Sequence, residues 1–440
     1  MATDSPLRAP SEPSRLELWR LTAYRWFLVS LGTATFASQV QGAAVAYQLY
    51  AITRDPLSLG MIGLAEALPF ILCALPAGHL SDVHDRRRLG AAALILLALS
   101  SATLWLVSQF QASLSGRAMQ ATIYGVIAVT GVCRSFLQPA RTILTAEIVP
   151  RDLLPAAVSW RSGLWQIAAV TGPALGGALY AGFGARVAYA VAAALLLGAV
   201  LAWLRMAAHP ATMAVPPRRA AMLNSLKEGF RFLRREPVIL PAIALDLFAV
   251  LFGGAVALLP VFAEDILRVG PSGFGVLRAA PAVGAVGMSL ALALRPPFRR
   301  AGPSMLAAVA LFGGCMIGFA LSRSFALSVA LLAASGAVDM ISVVIRGTLM
   351  QLRVPPTMLG RLSAINQIFI GSSNEIGAFE SGVAARLLGT VPSVVFGGAM
   401  TLLVVATAAW RAPALRTLGR LAGGPQQEIP GDAGGALPPA

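Results

Sequence analysis

The chain has 440 residues, 57% of them hydrophobic and only 12% charged, with a mean hydropathy of +0.74. A soluble protein of this length carries roughly 25% charged residues and has nowhere to bury so much apolar surface. Its 34 Lys+Arg against 19 Asp+Glu give a net charge of +15, yet no basic segment is interleaved with aromatics as nucleic-acid binding requires. The composition therefore predicts an integral membrane protein whose partner is the lipid bilayer.

A helix crosses the hydrocarbon core in about 20 apolar residues. Apolar runs bounded by charge or by Pro and Gly predict twelve spans: 26–50, 58–80, 89–109, 118–138, 156–182, 185–205, 238–263, 271–294, 303–322, 325–349, 362–386 and 390–410. The first run is too long for a signal-peptide core and is expected to be a true helix. Arg and Lys gather on the cytoplasmic side of membrane proteins. With the N-terminus inside, 24 of the 34 basic residues, Arg141 among them, fall in cytoplasmic segments. Each of the six outer loops holds one: Arg54, Arg117, Arg186, Arg268, Arg323 and Arg386. Both termini are thus expected in the cytoplasm.

The longest polar stretch, 206–237, separates 25–205 from 238–411, with six spans in each. Within it Leu223, Leu226, Phe230 and Leu233 fall at helical spacing among basic residues. That pattern fits an amphipathic helix on an anionic leaflet or a solvated linker helix. A cytoplasmic segment precedes this frame at 1–24, and a Pro/Gly-rich tail at 412–440 is expected to be disordered. A gapless shift of 205 residues lays 141–184 over 346–389, pairing Arg141 with Arg346, Pro150 with Pro355, Gly172 with Gly377 and Gly177 with Gly382. The repeat is six helices long and keeps orientation, so two parallel halves are expected.

Cys73, Cys133 and Cys315 stand singly in apolar runs, and His79 and His84 are five apart, which is not a helical metal pair. No phosphate-binding loop of the form GxxxxGK[ST] occurs, and no nucleophile–base set can be assembled from three histidines. The expectation is a protein without metal or cofactor, and not an enzyme.

Between spans two and three stands Gly78-His79-Leu80-Ser81-Asp82-Val83-His84-Asp85-Arg86-Arg87-Arg88-Leu89. It resembles the G-x-L-a-D-R-x-G-R-R-x-x-L loop of the major facilitator superfamily, with Val83 and Asp85 departing from the pattern. The resemblance implies an all-α membrane fold of two six-helix halves, in which Gly78, Asp82, Arg86 and Arg87 help latch the outward-facing state. Gly172-Pro173-Ala174-Leu175-Gly176-Gly177 on span five looks like part of the packing motif of proton-coupled exporters. Pro139-Ala140-Arg141, Glu228-Gly229-Phe230-Arg231 and Gly377-Ala378-Phe379-Glu380 resemble the enterobactin-exporter-like and drug-efflux branch. This branch implies a bacterial inner-membrane transporter acting as one chain.

An ionisable group inside a span costs about 2.5–3.5 kcal/mol or more unless paired or wetted, so each is a site candidate. Glu66, Asp246 and Asp339 are candidates for proton coupling, because a carboxylate can alternate between charged and neutral forms. Each reads equally as half of a structural ion pair. In the superfamily, spans one, four, seven and ten line the cavity, which the resemblance extends to Gln39, Gln41, Arg134, Asp246 and Asp339 here. Arg278, the polar stripe Asn366, Gln367, Asn374 and Glu375, and the ring of Trp165 complete the candidates for substrate contact. The sequence thus points to export of an amphipathic, siderophore- or drug-like molecule by proton antiport. An uptake or lipid-flipping carrier of the same fold is the alternative, and a non-transporting receptor a weaker one.

Overall fold

The computed structural model describes residues 17–110, 115–206, 228–253, 255–294 and 298–419. Their helices are α1 (Thr22–Thr53), α2 (Pro56–Val83), α3 (Arg86–Gln109), α4 (Gly116–Ile148), α5 (Leu154–Leu204) and α6 (228–235). The second half supplies α7 (Ile239–Phe252), α8 (Gly270–Ala293), α9 (Ala301–Leu321), α10 (Phe325–Arg353), α11 (Pro356–Leu388) and α12 (Thr390–Arg411).

Nine segments among the described residues are long and apolar enough to cross a membrane. The 51-residue α5 counts as two crossings. Straight, it would reach about 75 Å, but Gly184 breaks it with φ 77° and ψ 177°, a conformation that costs glycine little. With the more polar α1 and α11, of 32 and 33 residues, the crossings reach the expected twelve.

Two spans differ from their predicted form. Helix α4 does not stop at 138 but runs through Pro139 to Ile148, because an internal proline removes one hydrogen bond without ending a well-packed helix. It ends where Val149 turns extended before Pro150. Arg141, assigned by charge counting to a cytoplasmic loop, therefore lies inside the helix. Span seven is discontinuous: α7 ends at Phe252, capped by Gly253, and is followed by a 3-10 turn (Ala255–Leu258), a short helical turn (Leu259–Val261) and a π turn (Phe262–Ile266). Two glycines and Pro260 deprive this stretch of helix propensity and of one donor.

The linker helix and the tail are also more tightly held than expected. Leu233 of α6 is fully buried among Ile239, Ile243, Met350, Val354 and Leu362, while Phe230 is exposed. Leu223 and Leu226 lie outside the described residues. Residues 412–419, placed in the disordered tail, instead turn back on α9: Leu415 is fully buried, and Ala301 and Gly302 donate to the carbonyls of Gly419 and Leu418.

The arginine-rich loops mark one end of the bundle, called here the basic end; the other is the far end. Among the described residues, the apolar cores at the basic end stay separate. One cluster joins residues of the first half, around Tyr24, Phe27, Leu137 and Trp203, and two others lie on the second half, one around Met305 and Leu349 and one that adds Leu233 of the linker helix. At the far end one cluster runs across both halves, packing Tyr47, Tyr50 and Leu59 with Phe262, Phe274 and Leu277, beside a first-half cluster around Leu49, Leu104 and Tyr189. The halves meet at the far end and part toward the basic end. Small residues allow that closure. A Cβ on Gly60 would lie 2.9 Å from the Gly382 Cα, and one on Gly177 would lie 2.9 Å from the Gly275 Cα. Gly177→Leu is expected to wedge α5 from α8, making cysteines placed on far-end residues of the two halves farther apart and slower to cross-link.

Inside the second half, Arg346 of α10 forms an ion pair with Asp246 of α7, and the two side chains are only 6% and 9% exposed. Removing one partner of such a buried pair costs about 3–5 kcal/mol, whereas replacing both is far cheaper. Asp246→Asn is therefore expected to lower the unfolding temperature in detergent, and Asp246→Asn with Arg346→Met to restore much of the loss.

Candidate functional site

Halfway along the bundle four charged side chains from four helices converge. The Arg134 guanidinium on α4 bonds through the same Nη1 to Oε1 of Glu66 on α2 and, at 3.0 Å, to Oε1 of Glu375 on α11. Arg278 on α8 is the fourth charge, within electrostatic reach of both carboxylates but with no bond to either among the described residues, and its Nη2 lies beside Gly42 of α1. The two acids and two bases balance, which is how four ionisable groups are tolerated at this depth. Close backbone contacts set the register: Gly63 lies against the Glu375 backbone and Gly131 against that of Glu66.

This network differs from the Asp246–Arg346 pair in two respects. It joins the two halves, whereas Asp246 and Arg346 belong to one. It is also partly open, with Arg134, Glu66 and Glu375 side chains 36%, 19% and 21% exposed. They line a recess with Ala67, Phe70, Ile71 and Gly371, and the Phe70 ring lies 5.5 Å from the Arg134 guanidinium carbon. Asp339 faces the Asp246–Arg346 pair without joining it.

The remaining sequence candidates are spread out. Gln39 packs against α5, where a Cβ on Gly172 would lie 2.5 Å from its own Cβ, so it stands in a helix seam. Gln41 is partly buried on α1, Asn374 is exposed, and Trp165 on α5 is 54% exposed. The Asn366 Oδ1 is enclosed without a hydrogen-bond partner. The side chains of Gln367 and Asp82 lie outside the described residues. Around the loop that starts with Gly78, Arg86 pairs with Glu147 of α4, and Arg87 donates to the Leu204 carbonyl at 2.6 Å. Trp203 Nε1 donates back to the Arg87 carbonyl at 2.8 Å, so these contacts all stay in the first half. The Gly172–Gly177 motif is a packing surface twice over: Gly176 faces Val40 of α1, and Pro173 and Gly177 face Gly275 of α8.

A second charged cluster escaped the sequence reading. The π turn after α7 aims Glu264 and Asp265 at the far end of α1. Tyr47 donates to Glu264, Tyr50 to Asp265, and Arg54 reaches both carboxylates at 3.1 Å. Arg386 at the end of α11 pairs with Asp55 at 3.0 Å, and Asp55 also caps α2 by accepting from the Leu57 N–H. Every one of these side-chain ion pairs links the two halves. The available signal was the acidic pair Glu264-Asp265 closing a span opposite lone outer-loop arginines.

The profile of the transmembrane secretion effector family matches residues 14–432. The enterobactin exporter EntS of Shigella boydii is 26% identical over 380 residues, covering 86% of this chain and 87% of that one. An uncharacterised transporter of the major facilitator type, YfiS of Bacillus subtilis, is 30% identical over 203 residues, 44% of either chain. Among solved structures, a bacterial homologue of the lysosomal transporter Spinster in an inward-facing, occupied conformation gives a TM-score of 0.68 at 14% identity, over 92% of this chain and 98% of that one. A bacterial homologue of the iron transporter ferroportin, in an inward-facing state, gives 0.68 at 16%, over 91% and 99%. Twelve crossings in two halves, joined at one end and parted at the other around a charged network, agree with these matches: the chain is a membrane transporter of the major facilitator superfamily and belongs to its transmembrane secretion effector family.

Proposed function

We propose that this transporter exports an amphipathic, siderophore- or drug-like molecule in exchange for protons, with its basic end and both termini on the cytoplasmic side of a bacterial inner membrane. The observation that carries the reading is the Glu66–Arg134–Glu375 network. One cation is shared by two carboxylates, one from each half, so any motion that separates the halves must break at least one bond. A carboxylate left in an apolar recess costs about 2.5–3.5 kcal/mol or more until a proton neutralises it. Proton uptake while the far end is open, and release when Glu375 returns to Arg134, would couple the gradient to the switch. The enterobactin exporters among the relatives support the outward direction.

On this reading Glu66 and Glu375 carry the coupling. Asp246 holds its half together, and Asp339 beside that pair is a further proton-coupling candidate. Everted vesicles with an imposed proton gradient and a pH-sensitive dye test this with a panel of catecholates, macrolides and cationic dyes. Compound-dependent proton release by the wild type, lost in Glu375→Gln, is expected. Compound-dependent release unchanged in Glu66→Gln and Glu375→Gln would overturn the coupling role, and uptake without proton release would overturn antiport.

A further inference from the structure

Helix α4 carries one polar face toward its basic end: Arg134, Gln138, Arg141 and Thr145 follow at spacings of four, three and four, which align on an α-helix. Arg134 is neutralised by its two carboxylates. Arg141 is not. Its Nε is enclosed without a hydrogen-bond partner, and the charge that faces it is another cation, Arg161 of α5. Among the described residues the Arg161 side chain has one hydrogen bond, to the Thr145 hydroxyl at 3.4 Å. The Thr145 hydroxyl in turn donates to the Arg141 backbone carbonyl at 2.7 Å, so Arg161 is bonded one helical turn from Arg141 on the same face of α4. Glu147, on the same helix, is committed to Arg86.

Two half-buried guanidinium groups within electrostatic reach of each other, with no carboxylate paired to either among the described residues, repel each other and leave donors unused, an arrangement that packing alone disfavours. Their counterparts differ: Arg346, which the repeat aligns with Arg141, has Asp246. The arginines sit where the halves part, and the exposed Trp165 ring stands one helical turn from Arg161 toward the middle of the bundle. The fork of a guanidinium matches a carboxylate, sulfonate or phosphate, and adjacent forks hold one anion from two sides.

We infer that Arg141 and Arg161 form an anion-binding subsite at the basic end of the transport pathway, and that the molecule carried is an amphipathic anion with an apolar body. This rests on the export reading for its place in the cycle, but the binding itself does not. The negative group is taken up by Arg141 and Arg161, and the stripe on α4 leads it toward Arg134, where it competes with Glu66 and Glu375 for the same cation. Substrate arrival thereby loosens the bond that joins the halves at mid-depth.

The test uses the full chain in phosphatidylcholine nanodiscs, with 1-anilinonaphthalene-8-sulfonate as the fluorescent probe and empty nanodiscs subtracted. The competitors are 2-naphthoate and 2-naphthylmethylammonium, which share an aryl body and differ in charge. Expected is one saturable site, displaced by naphthoate and not by the ammonium, with affinity falling at least tenfold in Arg141→Gln and in Arg161→Gln. Arg141→Lys and Arg161→Lys should stay within a few-fold of wild type, as should Arg353→Gln, an exposed basic-end control. Where Arg141→Gln does not reconstitute, Arg161→Gln against Arg161→Lys decides. Equal displacement by the ammonium, no saturable site, or glutamine variants that bind like Arg353→Gln would each overturn the subsite. Retained binding with no proton-coupled transport would instead overturn the export reading and leave the subsite standing.

Discussion

Glu375→Gln and Glu66→Gln are each expected to reduce substrate-dependent proton release at least tenfold while leaving the protein folded. The side chains are partly exposed and Arg134 keeps one carboxylate in either variant, so no buried charge is stranded. Asp246→Asn should give the opposite division, losing stability first because Arg346 is left unpaired in the core. Measuring proton release in vesicles and thermal unfolding in detergent on the same variants separates the two outcomes. If Asp246→Asn lost coupling with full stability, the assignment of roles between the clusters would be wrong. Arg134→Gln should be the most damaging change in this network, since two carboxylates then face each other with Arg278 as the remaining cation.

The second large effect concerns the far-end lock. Its ion pairs are exposed, with Arg54 and Arg386 side chains 53% and 58% accessible. Exposed pairs contribute about 0–1 kcal/mol each. Three of them, with two tyrosine hydrogen bonds, hold the halves together by a few kcal/mol, the scale on which conformational populations of a transporter can be reversed. Removing Arg54 and Arg386 together should shift the ensemble toward far-end opening. Spin labels at Arg117→Cys and Arg323→Cys, exposed far-end positions of the two halves, would report it as a longer distance distribution. Because such pairs are screened, raising ionic strength to 1 M should move the wild type in the same direction. A distribution indifferent to both changes would show that the apolar cluster around Tyr47, Phe262 and Phe274 keeps the far end closed without the charges.

Much of this fold follows from hydropathy read in sequence. Twelve apolar runs, the bias of arginine to alternate loops and the echo between 141–184 and 346–389 led to the right class before any packing was known. Span ends were less legible where helix and loop signals conflict. Pro139 reads as a stop and is passed through; Gly253 and Pro260 sit in an unbroken apolar run that the chain nonetheless breaks. Hydropathy measures transfer to lipid, not backbone geometry, so it misses such interruptions.

The charged residues show where one-dimensional reading stops. That Glu66, Arg134, Asp246, Arg278, Asp339 and Glu375 lie in apolar spans was visible along the chain, and the cost of burying them made each a candidate. Which ones meet was not, because ion pairing depends on helix rotation and on contacts between segments 68 and 241 residues apart. Tertiary packing sorts that list into two kinds: a buried pair inside one half and a cation shared between the halves. The far-end lock was equally hidden, since Arg54 and Asp265 look like ordinary loop charges until the π turn brings them together. Burial energy along the chain decides how many helices cross the membrane; the rotation of those helices about their own axes decides what the charges inside them do.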